Sequence, residues 1–220
     1  MNYKVFIGYS SEDNDKAQYI HDCLGSIVQL LPYKAELYQA YGEDFKQRIQ
    51  RQLEESYFMV VLLTNSGKNS QWVNQEIGYA YALKKRPRLL PAQRDLPHII
   101  PISESQLRLK GFITKDTMDI LFLNNFPNFE LIVANIILHI RQYIPRGIEE
   151  GFLRLRVTCS NCFDKKGFPY EYDNALVPDV ESILKIVQSD EPILEYTCPK
   201  CKTKNLVDAR TFLPLKLAER

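Results

Sequence analysis

Apolar residues in the first two thirds of the chain follow two alternating patterns. Some runs are apolar over the length of a strand, and others place apolar residues at helical spacing. The strand-like runs cover residues 4–9, 35–38, 57–64, 98–102 and 119–123. The helical segments cover residues 14–31, 45–55, 70–86 and 127–145. Continuous apolarity over a strand length indicates burial on both faces, so the alternation predicts an α/β domain with a mainly parallel five-stranded sheet.

Prolines decide two of these boundaries. The first helix is expected to run to Leu31, because Pro32 follows and a proline disfavours helix in the residue before it. Residues 88–92 compete with 98–102 for the fourth strand, but they are flanked and interrupted by prolines and charges. We therefore favour 98–102 and interpret 91–97 as a surface excursion.

The helical segment 70–86 places a carboxylate where few helices have one. Trp72 and Glu76 are four residues apart and lie on one line of the helix, beside an apolar stripe. Glu76 is therefore expected at the border of a buried face. A carboxylate there costs free energy to desolvate unless a partner or a function uses it. The helix follows the third strand, and parallel sheets bind ligands at the carboxyl ends of their strands.

Four stretches of this region resemble TIR domains. They are a first conserved box at 4–13, a BB loop with the second helix at 38–56, the SxWxxxE pattern of Ser70, Trp72 and Glu76, and an IIPI strand at 98–102. The resemblance covers about residues 3–145 and points to the prokaryotic type. It implies a flavodoxin-like fold, a five-stranded parallel sheet with helices on both faces, in a domain at 1–147. The proline-rich stretch after Arg86 is longer than the family pattern.

The resemblance implies an enzyme that cleaves NAD between nicotinamide and ribose, with Glu76 as the catalytic residue. Nicotinamide leaves a cationic ring as a neutral molecule, so the two carboxylates of ordinary glycosidases are not required. Glu76 would stabilise positive charge on the ribose or act as a nucleophile. The products would be nicotinamide and ADP-ribose or a cyclic form. Six residues near strand ends or the helix start are expected to bind the substrate: Tyr9, Ser10, Ser11, Tyr38, Tyr41 and Trp72.

Other proteins of this fold class carry different functions, which require different residues. A dinucleotide-binding Rossmann domain needs a glycine-rich turn after its first strand, and only Gly8 is present there. A nucleoside deoxyribosyltransferase uses one glutamate on a similar bond and stays open as an alternative. A non-catalytic TIR adaptor that acts by TIR–TIR contacts also stays open. In the favoured interpretation the enzyme self-associates through its TIR domain and serves a prokaryotic defence or cell-death pathway.

The pattern changes after residue 147 and predicts a small zinc-ribbon-like α+β module at 148–220. An alternating strand leads into Cys159 and Cys162, a helix covers 179–188, and a strand at 193–197 leads into Cys198 and Cys201. Two CxxC pairs, each after a strand, are typical of a structural Zn²⁺ site, in which four thiolates fill the coordination shell. A redox dithiol or a pair of disulfides fits the doubled motif less well.

Charge and composition constrain the partners. The net charge is +1, which favours neither nucleic acid nor membrane globally. Lysines around the CxxC pairs could form a basic rim for a protein or nucleic-acid ligand, although nearby acidic residues offset them: Lys165, Lys166, Lys200, Lys202 and Lys204. No apolar run approaches the roughly 20 residues of a membrane span. A cytoplasmic protein without a membrane partner is expected.

Overall fold

The structure is a computed structural model that describes residues 2–34, 45–85, 98–103, 121–122, 129–143 and 153–215. The chain divides into two compact units. The first comprises Met1–Asp22 and Leu30–Pro127, and the second comprises Cys23–Gln29 and Asn128–Arg220. The predicted domain boundary after residue 147 stays a prediction, since the second unit also takes in the helix before that residue.

The first unit is built on a parallel sheet. Its strands are β1 (Tyr3–Gly8), β2 (Leu30–Lys34), β3 (Phe58–Leu63), β4 (His98–Ser103) and the two-residue β5 (Leu121–Phe122). They pair in the order β2-β1-β3-β4-β5, and every neighbouring pair is parallel. The predicted α/β class is thus confirmed, and β4 covers the favoured stretch 98–102. Its competitor at 88–92 lies outside the described residues.

The helices follow the predicted alternation with one addition. They are α1 (Asn14–Gly25, after a 3-10 turn at Ser11–Asp13), α2 (Phe45–Glu55), α3 (Asn65–Asn69), α4 (Gln71–Lys85), α5 (Phe129–Tyr143) and α6 (Val180–Val187). The short α3 is not among the segments that the apolar pattern predicts. It forms because the Thr64 side chain accepts a hydrogen bond from Gly67 N, which caps the helix.

The predicted end of the first helix is wrong. α1 ends at Gly25, and Leu30–Lys34, partly assigned to that helix, forms β2. Glycine is a poor helix former, which favours termination there. Pro32 is tolerated in β2 because β2 is an edge strand and one side needs no donor. The predicted strand at 35–38 lies outside the described residues.

One face of β1 and β3 packs against α2 and α4. This core cluster comprises Phe6, Ile49, Leu53, Met59, Val61, Leu63, Val73, Ile77, Ala80 and Leu83. The α4 members recur at helical spacing, and each is at most 8% exposed. Their burial fixes how α4 is rotated about its axis, and therefore where the side chain of Glu76 points.

The second unit contains two antiparallel hairpins. β6 (Arg154–Phe163) pairs with β7 (Pro169–Leu176), and β8 (Ile193–Thr197) pairs with β9 (Lys204–Asp208). β6, α6 and β8 match sequence predictions, whereas β7 and β9 were not predicted. Among the helices that the structure describes, none combines the length and the apolar composition needed to cross a membrane.

Candidate functional site

Glu76 lies on α4 with its carboxyl group against the end of β1. Only 4% of the residue is exposed. A Cβ atom added to Gly8 would lie 2.8 Å from Glu76 Oε2, so the carboxyl group occupies the space that a side chain there would take. Gly8 is the last residue of β1. The carboxyl group therefore lies at the carboxyl end of a central strand, where parallel sheets bind ligands.

The electrostatic surroundings of Glu76 are unfavourable for a charge. Its Oε2 atom is buried and has no hydrogen-bond partner among the described residues. Burial raises the pKa of Glu76 from 4.5 to about 8, because an environment with little water disfavours the carboxylate. Carboxyl groups perturbed in this way occur preferentially at functional sites.

Two cavities in the first unit share Trp72. The cavity that contains Glu76 has a volume of about 460 Å³, and its wall includes Leu53 and Tyr79. The other cavity, of about 630 Å³, lies between the segments that follow β1 and β3. Trp72 lines both cavities and also packs against the core cluster. The indole ring is thus a cavity wall and a part of the core at once.

Three more of the predicted substrate-binding residues line the second cavity and not the cavity of Glu76. Tyr9, Ser10 and Ser11 line the second cavity. Tyr9 and Ser10 are each 6% exposed, whereas Ser11 is exposed. Tyr38 and Tyr41 lie outside the described residues. The structure therefore brings three of these five residues together on one side of Trp72.

A buried carboxylate ties together the two segments that form the second cavity. Asp13 accepts a hydrogen bond of 2.6 Å from the Ser10 hydroxyl group and another from the Thr64 hydroxyl group. Lys16 pairs with its other oxygen at 3.2 Å. This contact is hard to predict from the sequence, because Asp13 and Thr64 are 51 positions apart along the chain. The one available signal is a polar residue at the end of an apolar run.

Four cysteines form a compact cluster in the second unit. The sulfur atoms of Cys159, Cys162, Cys198 and Cys201 all lie within 4.8 Å of one another. Those of Cys159 and Cys201 are 3.5 Å apart. A tetrahedral zinc ion with bonds of about 2.3 Å holds its sulfur ligands about 3.8 Å apart. The cluster could therefore hold one metal ion such as zinc after small movements of the side chains.

Asn205 holds the two hairpins together beside this cluster. Its Oδ1 atom accepts a hydrogen bond of 2.9 Å from Ser160 N, within the first CxxC pair on β6. Its Nδ2 atom donates to the hydroxyl group of Tyr172 on β7, at 3.2 Å. Asn205 itself is on β9 and is 4% exposed. One buried amide thus fixes β6, β7 and β9 around the sulfur atoms.

The thiols influence one another strongly. Hydrogen bonds with Thr203 lower the pKa of Cys201 to about 6. The hydrogen bond with Cys201 and then burial raise the pKa of Cys162 to about 12. Close ionisable groups titrate together, and all four cannot carry a charge unless a cation compensates them. The donor set is the one that zinc prefers.

Residues 5–119 match the family model described as TIR domain. The matched segment makes up more than half of the 220-residue chain and contains Gly8, Trp72 and Glu76. The chain therefore belongs to the TIR domain family. No curated protein matches the chain significantly. The cysteine cluster lies outside the matched segment.

Proposed function

We propose that the protein cleaves the bond between nicotinamide and ribose in NAD, with Glu76 as the catalytic carboxyl group. The observation that carries this proposal is Glu76 itself: the residue lines a cavity, and its buried Oε2 atom lacks a hydrogen-bond partner in the described part of the chain. Such a group costs stability when it ionises. A cationic substrate in the cavity would supply the missing partner, and membership of the TIR family supports the same chemistry.

The reaction requires charge stabilisation more than proton transfer. When the bond from ribose C1′ to the ring nitrogen breaks, its electron pair stays on the nitrogen and nicotinamide leaves as a neutral molecule. Positive charge then develops on the ribose, and the Glu76 carboxylate stabilises it in surroundings with little water. Water adds to C1′ and loses a proton to give ADP-ribose. Attack by a nucleophilic atom of the same substrate would give a cyclic product instead.

The pKa of Glu76 couples substrate binding to ionisation. With a pKa of about 8, the free protein holds most of its Glu76 protonated at neutral pH. The cationic nicotinamide ring favours the carboxylate, because an opposite charge nearby lowers the pKa of a carboxyl group. Binding of NAD therefore releases the proton to solvent and produces the carboxylate that the reaction needs.

The two cavities suit the two ends of this substrate. Trp72 offers an aromatic face for the nicotinamide ring beside Glu76. Tyr9, Ser10 and Ser11 would contact a more distant part of NAD in the second cavity, where hydroxyl groups can bind a phosphate or a ribose. Tyr38 and Tyr41 complete the proposed binding residues.

The test measures nicotinamide release from NAD by the wild type, Glu76→Gln and Glu191→Gln. The second variant is a control, since Glu191 is an exposed glutamate of the other unit. Loss of one preorganised charge at a reacting centre typically costs about 100-fold to 1000-fold in rate. We expect such a loss in Glu76→Gln and unchanged release in Glu191→Gln.

Two results would contradict the proposal. Equal turnover in Glu76→Gln and wild type would remove the role of Glu76. A wild type that self-associates but releases no nicotinamide, at any concentration at which it assembles, would favour a TIR adaptor. TIR domains commonly self-associate. Our proposal includes assembly through this domain and a signalling role in defence or cell death.

For the second unit we propose a structural zinc ion held by Cys159, Cys162, Cys198 and Cys201. The mutual approach of their sulfur atoms supports this assignment. Four thiolates fill a tetrahedral shell and leave no position for a substrate, so the ion would stabilise the fold and would not act in catalysis.

A further inference from the structure

The tip of the β6–β7 hairpin exposes two phenylalanine side chains. This hairpin tip comprises residues 163–170. Phe163 is 59% exposed and Phe168 is 65% exposed, and only four residues separate them along the chain. Single exposed apolar residues are common on protein surfaces, but two exposed aromatic residues at one hairpin turn indicate a contact surface.

The backbone of the hairpin tip is held in a defined conformation. Asp164 Oδ1 accepts hydrogen bonds from Lys166 N at 2.8 Å and Phe168 N at 2.9 Å. Gly167 has a φ of 83°, which glycine adopts without strain. The exposed rings are therefore presented by an ordered turn, and a ligand would not have to order the backbone when it binds.

Three lysines lie within the hairpin tip or contact it. Lys165 and Lys166 are exposed within the tip itself. Lys200, from the other hairpin, donates a hydrogen bond of 3.3 Å to Phe163 O, and its Nζ atom lies 5.3 Å from the centre of the Tyr170 ring. The acidic residue of the tip, Asp164, is engaged by backbone N–H groups. The tip thus combines aromatic faces with an excess of positive charge.

We propose that the hairpin tip binds single-stranded nucleic acid. Unpaired bases stack on aromatic side chains, and lysines neutralise the phosphates between them. In this assignment Phe163 and Phe168 stack on bases, and Lys165, Lys166 and Lys200 contact the backbone of the strand. The proposal does not depend on NAD cleavage, because all its residues lie outside the TIR match.

Binding is measured by fluorescence anisotropy with the full-length chain and labelled oligonucleotides of 12 deoxythymidines or 12 uridines. Stacking of one base on one aromatic ring corresponds to about a tenfold change in affinity, so Phe163→Ala and Phe168→Ala should each raise the Kd about tenfold. Phe168→Trp should retain binding. Leu176→Ala is the matched control, because Leu176 is 52% exposed on β7 and should leave the Kd unchanged.

The salt dependence tests the lysines separately. Each phosphate contact contributes a slope of about 0.7 to the plot of log affinity against log salt concentration for single strands. Replacing Lys165, Lys166 and Lys200 together with glutamine should therefore reduce the slope by about 2. Lys185→Gln, an exposed lysine of α6, is the control and should reduce it far less.

Several outcomes would overturn the proposal. These are no binding of either oligonucleotide at 50 mM salt, equal affinity for duplex and single strand, and a Kd that does not respond to Phe163→Ala and Phe168→Ala. Phe168-dependent binding to anionic lipid vesicles without oligonucleotide binding would assign the tip to membranes instead. Self-association that Phe168→Ala abolishes, again without oligonucleotide binding, would assign it to a second copy of the chain.

Discussion

The two candidate sites of this protein differ in how their buried titratable groups can be compensated. Around Glu76 a single titratable group is buried, and its Oε2 atom has no partner among the residues that the structure describes. In the cysteine cluster four titratable groups lie within 4.8 Å of one another and can be satisfied together by one cation. The first arrangement leaves room for a substrate to complete it, whereas the second is closed once its ion is bound.

The two sites are therefore expected to affect the free energy of folding in opposite directions. The Glu76 site lowers stability when it is charged, and the cysteine cluster would raise stability when it binds an ion. The Glu76 carboxylate is held in place by the packing of α4 and contributes nothing favourable to folding when it is charged. The cysteine cluster belongs to a unit with two small hairpins, which would gain folding free energy from a bound ion. Removal of the metal, a change of pH and the substitution of a glycine are expected to change the stability of the fold by successively smaller amounts.

Removal of the metal should have the largest effect. Structural zinc contributes about 10 kcal/mol or more to folding in small modules. Chelation, or Cys198→Ser, should therefore abolish the protection of β6 to β9 against hydrogen exchange, while β1 and β3 stay protected. Cys23→Ala removes a thiol outside the cluster and should keep about one zinc ion per chain. If the purified protein contained no zinc and its hairpins stayed protected in the presence of chelator, the proposal of a structural zinc ion would be contradicted.

The stability of the first unit should depend on pH through Glu76. Its pKa is raised from 4.5 to about 8 on folding, so the folded state holds the proton more tightly. The favourable contribution is full below pH 4.5 and is lost as the pH rises through about 8. The shift corresponds to about 4–5 kcal/mol. Glu76→Gln cannot lose this proton and should therefore lack this part of the pH dependence of stability.

Denaturant unfolding, followed by the fluorescence of Trp72, measures this effect. Trp72 is the one tryptophan of the chain and lies in the first unit, so its emission reports on that unit. Other groups titrate alike in both proteins, and the difference between wild type and variant isolates Glu76. If the stabilities of the wild type and Glu76→Gln changed in parallel from pH 5 to pH 9, the Glu76 carboxyl group would not be desolvated in the folded state.

A pair of glycine substitutions should have the smallest effect on folding and still separate packing from catalysis. In Gly8→Ala the new Cβ would lie 2.8 Å from Glu76 Oε2 and displace the end of a flexible side chain. We expect a folded protein whose nicotinamide release falls by about 100-fold, the typical result of a misplaced catalytic group. Equal activity in Gly8→Ala and wild type would argue against the described position of Glu76.

Gly78→Ala is the matched control for that variant. A Cβ atom at Gly78 meets nothing within 4 Å. Because alanine favours helix over glycine, the substitution should stabilise α4 by about 0.5–1 kcal/mol. Gly78 also lines the cavity of Glu76, so this variant is a control for folding alone. Thermal unfolding should therefore show slightly higher stability.

Sequence patterns predicted the features that depend on local spacing. The apolar stripe of α4 placed Glu76 beside a buried face, and the paired CxxC spacing identified all four clustered cysteines. These predictions held because helical period and ligand spacing are properties of short segments.

Features that depend on contacts between residues far apart along the chain were not predicted or were predicted wrongly. Ile27 and Val28 looked helical by spacing, yet Val28 N donates a hydrogen bond to Arg154 O, far along the chain. The side chain of Asp13 accepts a hydrogen bond from Thr64, a contact that no local pattern in the sequence predicts. The separation of Glu76 from Tyr9, Ser10 and Ser11 into two cavities also arises from tertiary packing, which no single segment encodes.

The pH dependence of kcat/KM for nicotinamide release from NAD tests the central claim most directly. This constant reports the ionisation of the free enzyme. If the buried Glu76 carboxyl group must ionise, kcat/KM should rise with pH and level off above about 8, the pKa of that group. Glu76→Gln should stay at background throughout. A profile that is flat from pH 6 to pH 9, or release that survives in Glu76→Gln, would contradict the account.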